Sequence, residues 1–280
     1  MRLVAGIDVG SAFTKAVLLA ESADLANRPE VLARGTVKTG VDLDRAARTA
    51  LESALNEIGF SASDVAYVAT TGFGRYSVSF RDIQITDITT GARGAWHLFP
   101  LASGVLDIGS QSTRAITLIG SGKVRQFKTN DKCAAGSGSF IVRAAKYLQV
   151  NLEGVGEMAL NAKNPQPISS VCAVLAESEI INHVSAGVSI EDILYGIYDS
   201  LADRASMLLK RAGSSGELIF IGGVARQQGM VRALENRLKV KVHVPYYCEH
   251  VCALGAALLG MKRVHAAHHS PPSLKELDAC

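Results

Sequence analysis

The sequence predicts an α/β protein of two related lobes flanking a cleft, and three observations carry that expectation. Residues 6–19, GIDVGSAFTKAVLL, align without gaps on residues 105–118, VLDIGSQSTRAITL. Residues 42–58, between the copies, repeat apolar side chains at helical spacing, and residues 218–225, LIFIGGVA, form an apolar run entering a glycine pair. Alternating strands and helices build layered α/β domains, and a repeat this widely spaced marks two similar lobes rather than a short-period solenoid.

Each copy of the repeat reads apolar run, Asp-x-Gly-Ser, two variable residues, Thr, a base, and a second alternating run. The first contains Asp8, Gly10, Ser11, Thr14 and Lys15; the second contains Asp107, Gly109, Ser110, Gln111, Thr113 and Arg114. That order is a strand, a tight glycine turn and an antiparallel return strand. In residues 42–58, Leu43, Ala46, Ala47, Ala50, Leu51, Ala54, Leu55 and Ile58 share one helical face. DVAYVATTG, residues 64–72, is a strand ending in a turn that completes the first lobe.

After the second hairpin come a glycine-rich loop at 133–138 and a helix near 139–148, then a polar stretch with Pro165 and Pro167. Helices are expected near 173–186, 190–212 and 226–237, and a closing helix at 251–262. Tyr195, Tyr198, Met207 and Leu208 recur at helical intervals as core. The expected organisation is a first ribonuclease H-like lobe at 1–100 joined by a C-terminal helix at 251–264, a second lobe at 101–250, and a frayed tail at 265–280.

Composition narrows the function classes. A chain of 280 residues that is 48% hydrophobic fills a sizeable core. Lys and Arg, 29, exceed Asp and Glu, 26, by three, and the few aromatics are not interleaved with bases. Neither a nucleic-acid partner nor an anionic membrane is expected. No apolar run reaches the roughly 18 residues of a bilayer span, and MRLVAGIDVG enters a strand pattern without a basic-then-apolar leader. The expected location is cytoplasmic. Five cysteines at irregular spacing do not make a disulfide framework, leaving free thiols or metal ligands.

An Asp at a strand end before a Gly-Ser turn suits nucleotide phosphates. Gly lets backbone N–H groups approach, hydroxyls of Ser11, Thr14 and Ser110 add donors, and Asp8 and Asp107 face Mg²⁺ directly or through its waters. Lys15 and Arg114 neutralise phosphate charge if they point into the cleft. One Asp-x-Gly is more often a turn signal alone; two in equivalent places favour ATP. Gly222 and Gly223 are the third element, a turn open enough for adenine or ribose to lie against backbone.

With those residues in order, the chain resembles the superfamily of actin, Hsp70 and the acetate and sugar kinases. NDKCAAGSGSF (130–140), VCAVLAESEII (171–181), TTGFGR (70–75) and ALGAAL (253–258) resemble one branch of it, the BadF/BadG/BcrA/BcrD ATPase family. That branch contains ATP-dependent activators of 2-hydroxyacyl-CoA dehydratases and the paired ATPase subunits of benzoyl-CoA reductase. The likeness runs to about residue 262.

The resemblance implies that Cys133 and Cys172 each supply one thiolate to a [4Fe-4S] cluster shared with a second subunit. A cubane takes four thiolates, and two from each chain complete it. Cys133 precedes a helix start, whose partial positive charge favours a thiolate. Cys248, Cys252 and terminal Cys280 read as ordinary thiols. His265, His268 and His269 carry metal-ligating side chains but fit a frayed tail better. Glu177 and Glu179 stand either on a solvated helix face or beside an attacking water.

The second turn reads DIGSQS where the activators usually have DIGGQD, so Ser110 replaces a glycine and Ser112 an acid. Residues 87–96, DITTGARGAW, lack the Cys-His pair that relatives tend to carry. Such drift fits a subunit whose paralogue holds a second ATP site. The implied protein is therefore a D-type ATPase subunit of benzoyl-CoA reductase, paired with an A-type subunit. It would couple ATP hydrolysis to electron transfer from ferredoxin to B- and C-type catalytic subunits that hold benzoyl-CoA. A homodimeric dehydratase activator, a small-molecule kinase of this fold and a filament-forming or regulatory nucleotide-binding module stay open as alternatives.

Overall fold

The computed structural model describes residues 2–21, 29–130, 136–169 and 172–269. Its first sheet contains β1 (Leu3–Val9), β2 (Phe13–Ala20), β3 (Val31–Lys38), β4 (Val65–Thr71) and β5 (Ile83–Gln84), in the order β3-β2-β1-β4-β5. Its second contains β6 (Gly104–Ile108), β7 (Thr113–Ile119), β8 (Lys123–Asn130), β9 (Leu218–Ile221) and β10 (Val242–His243). Read from the β8 edge, that order is β8-β7-β6-β9-β10, the first sheet repeated strand for strand. Directions match as well: each Asp-x-Gly hairpin is antiparallel, and the strand on its other side is parallel.

Residues 42–58 form α1 (Leu43–Glu57), started by Asp42, whose carboxylate accepts from the backbone N–H of Arg45 at 3.0 Å. Ala46, Ala47, Ala50, Leu51, Ala54 and Leu55 are buried against Leu3, Ala5, Ile7 and Val9. The opposite face of that sheet, with Val4, Val17 and Leu19, packs on Ala253, Leu254, Ala257, Leu258 and Met261 of α8 (Val251–His269). The second sheet is covered on one side by α2 (Asp87–Leu98), through Ala92 and Ala95 against Val105, Ile116 and Ile221. So α2, inside the stretch the sequence places with the first lobe, lies on the second sheet.

The other side of the second sheet carries α3 (Gly138–Tyr147), α4 (Val155–Ala159), α6 (Ile190–Arg211) and α7 (Gln228–Leu238), around Leu106, Ile108 and Phe220. A helix α5 (Ala173–Ser185) contributes Ala176 and Ile180 to the same core. Between the sheets α2 crosses α8 at close range: a β-carbon on Gly94 would fall 2.1 Å from Val251 O, and one on Gly255 1.8 Å from Thr90 O.

Three expectations need correction. The closing helix does not fray after 264 but runs to His269; its stripe of Ala253, Ala257, Met261 and Val264 keeps it on the sheet. Residues 270–280, with Cys280, lie outside the described residues. The helix expected at 226–237 begins at Gln228, because 223–226 form a 3-10 turn. Tyr198 is core, whereas Met207 is 43% exposed, since it lies on the outer face of α6.

Candidate functional site

The two Asp-x-Gly-Ser turns are built alike. Gly10 N donates to Phe13 O at 3.2 Å in the first, and Gly109 N donates to Ser112 O at 2.9 Å in the second. Asp8 and Lys15 are cross-strand partners, as are Asp107 and Arg114. Ser11, Gln111 and Gly223 are exposed, and Gly10, Gly109, Ser110 and Gly222 are partly so. The Asp8 charge acts on Asp107, so the two carboxylates share one electrostatic environment.

A third pair completes the repeat. Gly72, after β4, has φ +86, and Gly222, after β9, has φ +88, a region that side chains with a β-carbon rarely enter. A β-carbon on Gly72 would stand 2.3 Å from Asp8 Oδ1 and 2.6 Å from Val9 O. On Gly222 it would stand 2.6 Å from Asp107 Oδ1 and 2.5 Å from Ile108 O. The glycine expected to face a nucleotide thus has a counterpart in TTGFGR, and each turn passes flush over one carboxylate. By contrast a β-carbon on Gly223 would meet nothing within 4 Å. The fold does not require glycine there, which leaves bare backbone for a ligand.

The basic partners differ between the halves. Lys15 Nζ lies 3.5 Å from Asp8 Oδ2 and beside the Gly10 turn. Arg114 donates to Asp107 Oδ2 at 2.8 Å and pairs with Asp87 of α2 through its other nitrogen. Burial pushes the Asp107 carboxyl above the ordinary range against the pull of Arg114. Burial also opposes the Arg114 charge, but Asp107 and Asp87 together outweigh it and raise the guanidinium pKa. Thr14 is fully buried, its hydroxyl 3.0 Å from that of Thr39, which donates to Gly10 O at 2.7 Å. Thr113 donates its hydroxyl to Gly136 O.

Sequence reasoning missed the ion partner Asp87 and the histidine His250. The imidazole Nε2 of His250 is 2.9 Å from Thr36 Oγ1 of β3, and burial pushes its pKa down to about 4. Arg34 of β3 stacks on Tyr247 with its guanidinium carbon 3.6 Å from the ring centre. These residues tie the first sheet to the segment entering α8.

Of the proposed cluster ligands, Cys133 lies outside the described residues. Cys172 has a free thiol, is partly exposed and stands at the N-cap of α5 with an extended backbone. The exposed N–H groups of a 13-residue helix favour an anion at that end, so the thiol fits a thiolate ligand. Cys248 and Cys252 do not: burial pushes the first thiol up to about 12 and raises the second well above its ordinary value. Among the described residues no group of three metal-ligating side chains occurs, as expected where one chain supplies only part of a ligand set. Glu177 is paired with Arg143 of α3, and Glu179 accepts from Ser169 N, so both serve local structure.

Comparison with known proteins places this geometry. A family model described as the BadF/BadG/BcrA/BcrD ATPase family matches residues 5–260. The chain is 41% identical over 253 residues to the activator of lactoyl-CoA dehydratase of Anaerotignum propionicum, covering 90% of this chain and 95% of that protein. It is 39% identical over 270 residues to the D-type subunit of benzoyl-CoA reductase of Thauera aromatica, 94% of each chain being covered. Among solved structures, the activator of 2-hydroxyisocaproyl-CoA dehydratase from Clostridium difficile with bound ADPNP superposes with a TM-score of 0.89 at 34% identity. That match covers 97% of this chain and 99% of the other. Sugar kinases share the two-lobed α/β fold, at a likeness that carries architecture alone.

Proposed function

Because the chain belongs to the BadF/BadG/BcrA/BcrD ATPase family, we infer that it is the ATP-binding, electron-activating subunit of a benzoyl-CoA reductase. In this reading ATP lies between a lobe of residues 1–100 closed by α8 and a lobe of residues 101–250. The observation that carries it is the mirrored site: two carboxylates, each under a glycine turn, with Ser11, Ser110, Gln111 and Gly223 left accessible.

Gly10, Ser11, Gly109, Ser110 and Gln111 would hold phosphates, Lys15 would add charge at the first turn, and Thr14 would brace that turn from inside. Asp8 and Asp107 would orient Mg²⁺ through its waters, and Gly222 and Gly223 would receive the nucleoside. Cys133 and Cys172 would hold half of a [4Fe-4S] cluster, with an A-type paralogue supplying the rest. When bound, the cluster supplies one-electron transfer at low potential. Ferredoxin would be the donor, and the subunits binding benzoyl-CoA the acceptor.

The likeness to a lactoyl-CoA dehydratase activator over 90% of the chain favours a second reading, a homodimeric activator using the same site. Co-expression separates them: a reductase subunit co-purifies with a paralogue, whereas an activator is a brown dimer on its own. Under either reading, Cys172→Ala abolishes the electron paramagnetic resonance signal of anaerobic protein and leaves ATP binding intact. Retention of the signal would refute the ligand assignment.

A further inference from the structure

The second Asp-x-Gly-Ser turn is bonded to a helix in a way the first is not. Gly138 N donates to Gly109 O at 2.9 Å, Ser139 N donates to Ser110 O at 2.8 Å, and the Thr113 hydroxyl donates to Gly136 O. Three bonds therefore join this turn to the start of α3. In the first half Thr14, the counterpart of Thr113, spends its hydroxyl on Thr39 at the end of β3. A repeat that keeps the threonine and changes its partner has acquired a connection in one copy.

From α3 the connection continues to α5. Arg143 Nε lies 3.0 Å from Glu177 Oε1, and the Tyr147 hydroxyl donates to Glu177 Oε2 at 3.1 Å. Arg143 Nε and Glu177 Oε1 are buried and make no hydrogen bond to any group among the described residues, so their ion pair is what compensates the two charges. Glu177 also raises the Tyr147 phenol pKa by accepting its proton bond. Apolar contact supports the same crossing, with Ile141, Ala144, Ala176 and Ile180 in one core. At the far end of α5, with Glu177 in its second turn, stands Cys172.

We propose that Glu177 is a positioning residue that carries the state of the second turn, through α3 and α5, to the surroundings of Cys172. The proposal rests on the reading of that turn as a phosphate-binding element; its consequence for a cluster rests on Cys172 being a ligand. A helix moves as a unit along its hydrogen-bonded length, so a shift at Gly138 reaches Arg143 and Tyr147 undiminished. The paired carboxylate passes it to α5 because moving one partner alone would strand a buried charge.

The test uses the full chain, reduced and freed of iron, with the alkylation rate of Cys172 by N-ethylmaleimide followed by peptide mass spectrometry. Mg·ADPNP is expected to change the wild-type rate by about fivefold, the lower end of ordinary coupling between sites. Glu177→Ala should bind the nucleotide within about twofold of wild type yet lose the change in rate, a separation that loss of a mere brace would not produce. Tyr147→Phe removes one bond at an exposed ring, should show an intermediate response, and decides the matter if Glu177→Ala does not fold.

A wild-type chain that binds ADPNP with no change at Cys172 overturns the proposal. So do variants that respond as the wild type does. A chain that binds no nucleotide overturns the phosphate-binding reading and this proposal together. A chain that shows the coupled response but never takes up iron overturns only the cluster reading.

Discussion

Gly255 on α8 passes so close to Thr90 on α2 that a β-carbon on the glycine would fall 1.8 Å from the threonine carbonyl oxygen. The obstacle is backbone, which has no rotamer to yield. Gly255→Ala should therefore destabilise the chain by about 2 kcal/mol or more, the usual range for overpacking, read as a lower urea midpoint. An unchanged midpoint would mean that the two helices are not held at this spacing.

His250 makes stability depend on pH. The unfolded chain takes a proton near pH 6.5, but the folded chain only near 4, because burial disfavours the imidazolium despite Glu249 and Asp8, while Lys15 and Arg34 oppose it further. The unfolded state thus binds more protons between those values, and stability is full above about 6.5 and lost as pH falls toward 4. The loss is at most about 3 kcal/mol from this group. His250→Gln should flatten the dependence of the urea midpoint on pH across that window; a slope equal to that of wild type would assign the effect to other groups.

The turns over the carboxylates should fail alike. Gly72→Ala and Gly222→Ala each force a β-carbon against an aspartate and a backbone carbonyl at positive φ. Both should lower affinity for Mg·ATP by about tenfold or more, since displacing one charge-assisted contact costs that much. Calorimetric titration checks this, and wild-type affinity in either variant would exclude that turn from the site.

Lys15 and Arg114 occupy the same place in the repeat but should behave differently. Arg114→Met strands Asp107 and Asp87 and should cost about 3–5 kcal/mol of stability. Lys15→Met should leave folding nearly intact and weaken ATP binding by about tenfold, the worth of one charged donor to phosphate. Equal loss of stability in both variants would remove the distinction between a structural base and a ligand-facing one.

The hairpins, α1, β4, β9 and the helices at 173–186 and 190–212 were legible in the sequence because their apolar patterns repeat with the right period. β8 was not: in KVRQFKTN nearly every side chain is exposed, so no alternation marks it. α2 was hidden because it packs with Ala92, Ala95, Gly91 and Gly94, residues too small to print an apolar stripe. Asp8, Asp107 and the glycines around them are announced by the repeat. The Asp87 pairing with Arg114 is not, since a contact between residues 27 positions apart leaves no local signature. Nor did TTGFGR betray its kinship with IGGVAR, because the likeness lies in backbone angles rather than in letters.

The two sheets repeat one strand order and share no strand, and the layer between them is a pair of helices that touch at glycines. Turning one half relative to the other there breaks no ladder bond and unlocks no interdigitated side chains. Each half is stiff and the joint between them is a bearing, with its axis where Gly94 and Gly255 let the two rods roll.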